Sequence, residues 1–461
     1  MGTQRSLSSR RPAPISDKLI FNPMKRNPLF LLIFAVSAGA ADKVTNARLL
    51  ELASQNLQDA GFRETLLVTA GTEAVQKGTA FIGEGGDFLF AVESPLKPQI
   101  VIDDQPGPAM TQLNASNVWV AKSQLRTGHP HTFHYIVEGK RFGGNLNVPA
   151  FGPDSYQKAG VPEGKLSEKI VHISKIYEGM ESEYWIYAPV QYDASKAAGV
   201  MIWTDGQGHT NRNGGSRLMN VIDNLTHQKK IPVIIHIFTS PGTVERVGGT
   251  PTANSVNAPA RSPRRPLRSV QYDTVSDRFG RFLRDELVAE VATKFNLRKD
   301  GYSYAVAGGS SGGIAAFNAA WQMPDQYSRV LSHIGTYTSI QWTPGKIEGG
   351  EILPFRVRKD PKRNIRVWLQ DGSEDLENSH GSWPLQNIQM ANSLKMRGYD
   401  FHFTFGAGAH SGAHGNSQLP ESLTWLWRDY DPSKTEQTYE QETAEKDKPP
   451  YRVRIYNRDA L

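Results

Sequence analysis

Gly308-Gly309-Ser310-Ser311-Gly312-Gly313 joins the apolar run Tyr302 to Ala307 to a small-residue run from Ile314 to Trp321. So short and side-chain-poor a connection predicts a strand, a tight turn and a helix in immediate succession. A serine at the apex of such a turn sits in strained backbone. Its neighbours two residues before and two after approach so closely that a Cβ would clash, so glycine is needed there. The helix that follows aims its unpaired first amides at the apex, where an oxyanion would form. Two G-x-S-x-G frames overlap, centred on Ser310 and on Ser311. Spacing alone leaves open which serine is the nucleophile.

A strand–G-x-S-x-G–helix unit is the nucleophile corner of an α/β-hydrolase, in which an acid and then a histidine follow on loops after later strands. The β-rich run Ile365 to Gln370 ends in Asp371-Gly372-Ser373-Glu374-Asp375, and Phe401 to Phe405 ends in Gly406-Ala407-Gly408-Ala409-His410. Acid and base therefore follow strands in the required order. His410 is the candidate base, and a buried carboxylate would fix its tautomer. Asp375 is the candidate acid because a turn at Gly372 and Ser373 lets it fold back toward the histidine; Asp371 is the alternative. His410 and His414 are four apart, but Gly408, Gly412 and Gly415 oppose a helix there and no Glu lies between them. The expectation is no metal and no cofactor. Upstream, the strand Gly199 to Thr204 runs into Asp205-Gly206-Gln207-Gly208-His209. Gly206 and Gln207 are candidates for the second oxyanion amide, which this fold takes from the loop after its third strand.

From about Glu181 to Tyr430 the chain resembles the esterases grouped with enterochelin esterase, esterase D, the antigen 85 mycolyltransferases and feruloyl esterases. The resemblance rests on Tyr184-Trp185-Ile186-Tyr187-Ala188-Pro189, Trp203 to Gln207, Gln271-Tyr272-Asp273, the Ser310 turn, Gly372 to Asp375, Gly408-Ala409-His410 and Leu419 to Leu423. It implies an α/β-hydrolase with a doubly wound, mostly parallel sheet. It selects Ser310 as nucleophile, Ser311 as amide donor and Asp375 as acid, and implies ester chemistry without naming the substrate.

Composition divides the rest of the chain. Residues 27 to 40 are apolar, follow Lys25 and Arg26 and end in an Ala38-x-Ala40 pattern, as in a secretory signal whose start is Met24. Short β runs between Ala41 and about Gly164 predict a small antiparallel sandwich, with Thr45 capping a helix to Asp59 before it. This part resembles the early-set immunoglobulin-like, starch-binding-module-like domain that precedes many such esterases. His129, His131 and His134 are expected at its surface. The expected organisation is a leader over 1–40, helix plus sandwich over 41–160, catalytic domain over 161–430 and a polar, loosely held tail over 431–461. Ser276 to Phe295 reads as one amphipathic helix with Phe279, Phe282, Leu283, Leu287 and Val291 on its apolar stripe. The Pro241 to Ser269 insertion carries Arg261, Arg264, Arg265 and Arg268, and these arginines, Arg268 foremost, either bind an acidic sugar or phenolate or merely keep a loop soluble. Trp383 is either a sugar-stacking platform or a packed loop anchor.

The formal net charge is +6, while residues 1–40 hold six Lys or Arg against one Asp, a net of +5. The remainder is near +1, so the basic balance does not point to nucleic acid. Cysteine is absent, so no disulfide and no lipidated cysteine is available. The expected partner is a small-molecule or glycan ester, with no stable membrane anchor, in a bacterial periplasm or outside the cell. An exported carbohydrate or feruloyl-type serine esterase is the leading reading. A siderophore trilactone esterase, an acyltransferase and a non-catalytic glycan-binding protein are the alternatives.

Overall fold

The computed structural model describes residues 42–245 and 264–449. The expected leader, the part of the insertion that holds Arg261 and the last residues of the tail lie outside them. Among the described residues no helix is long and apolar enough to cross a membrane. The described residues form one compact unit.

Thr45 caps the first helix, Asn46–Gln55, its hydroxyl accepting from the Arg48 amide at 3.3 Å. The helix ends before Asp59, and two more that the sequence reading missed, Phe62–Ala70 and Thr72–Lys77, follow it. All three cover one face of an antiparallel sheet ordered Thr79–Ile82, Asp87–Glu93, Val118–Gln124, Thr111–Gln112. A second antiparallel sheet, ordered Gln105–Pro106, Gln99–Ile102, His129–Val137, Lys140–Ala150, packs on the other face. Alternation explains this arrangement. Leu89 and Ala91 face the helices, whereas Phe88, Phe90 and Val92 face the second sheet. The same alternation corrects the expectation for His131, which shares the inward face with Phe133 and Tyr135 and is 3 % exposed. Its ring bonds Asp103 Oδ2 at 2.6 Å and the Arg126 carbonyl at 2.8 Å.

The hydrolase sheet is built from β1 (Met180–Ala188), β2 (Gly199–Trp203), β3 (Ile234–Thr239), β4 (Tyr304–Gly309), β5 (Arg329–His333), β6 (Arg366–Glu374) and β7 (Asp400–Ala409). These lie in the order β1-β3-β2-β4-β5-β6-β7. All are parallel except β1, which runs antiparallel to β3. Strands covered on both faces need apolar residues at every position, and β4 shows why. Tyr304 and Val306 enter the core on one face, Ala305 and Ala307 the core on the other.

The helix expected over 276–295 runs from Arg278 to Val291 and contains a π turn at Phe282–Val288. Its predicted stripe is buried as a block. At the π turn Glu286 accepts from the Lys175 and Ile176 amides, and His172 lies between Glu286 and Glu290.

Within the expected tail, Tyr439 is packed against the sheet. Arg329 is fully buried on β5, and its guanidinium faces the rings of Tyr302, Trp427, Tyr430 and Tyr439 at 4.6 to 5.4 Å. A cation taken out of water needs such faces, and burial pulls the Arg329 pKa below its usual value. Tyr439 is therefore drawn in, its hydroxyl 3.0 Å from Ser328 Oγ. Tyr439→Ala is expected to lower the unfolding free energy by about 3 kcal/mol in urea melts, with turnover per folded molecule unchanged.

Candidate active site

Ser310 sits at φ 58°, ψ −127°, between the end of β4 and the helix Ser311–Gln322. Its amide donates to the His333 carbonyl of β5 at 2.9 Å, which pins the apex. A Cβ on Gly308 would lie 2.0 Å, and one on Gly312 2.1 Å, from Thr204 Oγ1 at the end of β2. These are the glycines two before and two after Ser310. The glycine two before Ser311 is Gly309, where a Cβ would meet nothing nearer than 3.8 Å. Crowding therefore distinguishes the two overlapping frames, and it favours the one centred on Ser310.

Ser310 Oγ stands 2.8 Å from His410 Nε2, and His410 Nδ1 stands 2.5 Å from Asp375 Oδ1. The three side chains come from the loops after β4, β6 and β7, so the parallel sheet brings residues 35 and 100 positions apart to one edge. Asp375, and not Asp371, bonds the histidine. Burial alone would raise the Asp375 pKa, but hydrogen bonds from His410 and Asp371 outweigh it and hold this carboxylate below its usual value. The Leu376 amide also donates to Asp375 Oδ1, at 2.5 Å.

Trp383 is 2 % exposed and stands edge-on to the His410 ring, with centroids 5.7 Å apart. Its indole N–H donates to Thr336 Oγ1 at 3.1 Å, and that hydroxyl is 3.4 Å from Ser310 Oγ. Of the two readings of Trp383, the packed anchor describes its position, because neither face of the ring is open to a sugar.

Gly206 and Gln207 follow β2 in a short 3-10 turn, Gly206 buried and Gln207 exposed. Asp205, at φ 50°, starts that turn and is gripped by Arg268, whose Nε and Nη2 donate to Oδ1 and Oδ2 at 2.8 and 2.7 Å. Arg268 thus spends its Nε–Nη2 face on the loop beside the nucleophile. Ser311 begins the helix and is buried, with the Asp273 carboxyl close by. Burial, opposed by Ser269, Ser311 and Arg268, pushes the Asp273 pKa up to about 6.

Residues with no sequence motif complete the arrangement. Thr336 presents its amide to the Ser310 carbonyl at 3.1 Å. Asn147 comes from the N-terminal sandwich, and its Oδ1 accepts from the Ala409 amide at 2.9 Å, across 262 positions. The sandwich strand Lys140–Ala150 thereby holds the residue just before His410. No local pattern around Asn147 announces this, because the contact exists only once the two parts pack. Among the described residues no group of three or more His, Cys, Asp or Glu is arranged to hold a metal ion.

A doubly wound sheet that gathers serine, carboxylate and histidine at the C-terminal ends of β4, β6 and β7, in that chain order, defines an α/β-hydrolase. A family model described as "Putative esterase" matches residues 178–426, more than half of the 461-residue chain. The chain belongs to that family and is a carboxylic ester hydrolase. No curated protein matches it. Among solved structures it is similar to the enterobactin esterase from Shigella flexneri, with 15% identity, 77% of this chain and 97% of that one covered, and a TM-score of 0.49. It is also similar to a ferulic acid esterase from Anaeromyces mucronatus, with 14% identity, 61% and 97% coverage, and a TM-score of 0.45.

The Asn147 contact generates an expectation. Asn147→Leu removes the acceptor and lets the His410 loop drift, lowering kcat by about a hundredfold if the imidazole shifts by about 1 Å. Asn147→Asp keeps an acceptor and restores most of the turnover. Steady-state kinetics on p-nitrophenyl acetate, with melting temperatures as a control for folding, measures both.

Proposed function

We propose that the protein is an exported serine esterase that cleaves carboxylic esters of carbohydrate or feruloyl type through an acyl-enzyme. The observation that carries the mechanism is the continuous hydrogen-bonded line from Ser310 through His410 to Asp375. Ser310 Oγ attacks the ester carbonyl while His410 Nε2 takes its proton, and Asp375 stabilises the imidazolium and its tautomer. The Ser311 amide, first in its helix and without an intrahelical acceptor, and the amide of Gly206 or Gln207 hold the oxyanion. His410 then gives the proton to the leaving alcohol, and water deacylates the enzyme by the same route.

For the substrate class, the supporting feature is the strap between β5 and residue 350. Ser339 donates to the His380 carbonyl on the acid side of the site, and Gln341 donates to Ser269 beside the oxyanion loop. The strap carries Trp342, 54 % exposed, whereas Trp383 is buried. An open indole there is suited to stack on an aryl acid or a sugar ring. Export rests on the apolar segment over residues 27 to 40 with its basic flank, and nothing in the reading requires a cofactor, a nucleic acid or a membrane anchor.

Ser310→Ala is expected to lower kcat on p-nitrophenyl acetate by about a millionfold and to abolish fluorophosphonate labelling. Ser311→Ala keeps its amide and retains most turnover. The opposite ranking overturns the assignment. A panel of feruloylated sugars, acetylated sugars and catecholate trilactones then reads the substrate. Trp342→Ala should raise KM for feruloylated sugars while leaving kcat on p-nitrophenyl acetate unchanged, and a preference for trilactones would replace the carbohydrate reading.

A further inference from the structure

Asp371 lies within β6 and Asp375 directly follows it, and both side chains are cut off from water, Asp371 at 0 % exposure and the Asp375 side chain at 0 %. Each has one oxygen satisfied. Asp375 Oδ1 receives His410 and the Leu376 amide, and Asp371 Oδ1 accepts from the Gly372 amide at 2.8 Å. Each has one oxygen left over. Oδ2 of Asp371 and Oδ2 of Asp375 are both buried, and if both groups were ionised neither would have a donor. Yet the two carboxyls act directly on each other, Asp375 raising the Asp371 pKa and Asp371 lowering that of Asp375. Two carboxylate anions in contact in a dry site repel strongly, and a buried acceptor without a donor is itself unfavourable. One proton between them removes both difficulties.

We propose that Asp371 is kept as the neutral carboxylic acid and donates its proton to Oδ2 of Asp375, so that the carboxylate facing His410 is held from both sides. Asp371 is then a positioning residue: it touches neither substrate nor histidine but fixes the rotation and the single negative charge of the group that does. The surroundings agree. Asn387 from the helix Trp383–Met396 and the Tyr337 phenol from the loop after β5 are the other polar groups near Asp371. The histidines on the flanking elements, His333 on β5 and His414 after β7, are held neutral by burial, at about 3 and about 4. Neither histidine therefore supplies a charge that would keep a second carboxylate ionised. Burial first, then the bond to Asp375 and its charge, push the Asp371 pKa up to about 9, while Asp375 stays ionised. Asp371 holds its proton at neutral pH, and the arrangement is lost as pH rises through about 9.

This inference rests on Asp375 being the partner of His410 in the proposed mechanism, so its test has a readout that does not depend on activity. Infrared difference spectra at pH 7 between the wild type and Asp371→Asn should show the carbonyl stretch of a protonated carboxylic acid in the wild type only, fading as the pH is raised past about 9. In ester hydrolysis Asp371→Asn, which keeps an N–H donor and carries no charge, should stay close to wild type at neutral pH. It should also lose the alkaline decline assigned to Asp371. Asp371→Leu, without a donor, should lower kcat about ten- to hundredfold with KM little changed, as expected for a lost hydrogen bond to a charged group. Absence of the protonated-acid band, or an Asp371→Leu variant as active as wild type, overturns the proposal. Failure of Ser310 to take a fluorophosphonate overturns the catalytic reading beneath it, and the two failures are separately observed.

Discussion

The close approach of Thr204 to the nucleophile turn is the contact on which the site depends. Its amide and hydroxyl both donate to the Ala307 carbonyl, at 2.9 and 3.2 Å, and its Oγ1 occupies the space that a Cβ on Gly308 or Gly312 would need. β2 and β4 are thereby locked together where one ends in the oxyanion loop and the other in Ser310. The strained Ser310 backbone costs on the order of 1–3 kcal/mol. Burial of the whole helix that follows, Ser311 to Trp321, offsets it. A serine held in this way cannot rotate its backbone away from the histidine without unpacking that helix.

Around this corner the molecule places four acidic side chains in contrasting surroundings. Asp205 is paired with a guanidinium and anchors the oxyanion loop. Asp273 is buried close to Ser311, and burial pushes its pKa up to about 6. Asp375 remains ionised because His410 and Asp371 donate to it, and Asp371 is neutral in the arrangement proposed above. Dielectric surroundings and hydrogen-bond donors separate groups that are chemically identical. Only Asp375 is left with its charge aimed at the imidazole.

The N-terminal sandwich belongs to the same body as the hydrolase sheet, and Asn147 reaches from it to the backbone beside His410. At the opposite end of the strands the buried Arg329 gathers aromatic rings from the C-terminal stretch. The active-site edge is thus braced by segments that lie far from it in sequence.

Much of this was legible in the chain. Glycine spacing, the small-residue helix and two β-rich runs ending in Asp and His marked the turn, the order of the strands and the candidate residues, because each obeys a local rule of backbone geometry. Local rules could not choose between Ser310 and Ser311 without the resemblance, and Thr204 separates them only through packing across strands. They also misplaced His131 and Tyr439, since burial of one polar group depends on partners distant in the chain. The roles of Arg268 and Trp383 stayed open for the same reason. The sequence by itself determined the strand-turn-helix corner and the chain order of its acid and base, which short-range sterics enforce. Only the tertiary structure decided which carboxylate meets the histidine, what Arg268 grips and how the sandwich braces the site. Those outcomes depend on long-range contacts and on the exclusion of water, and neither is written in any local pattern.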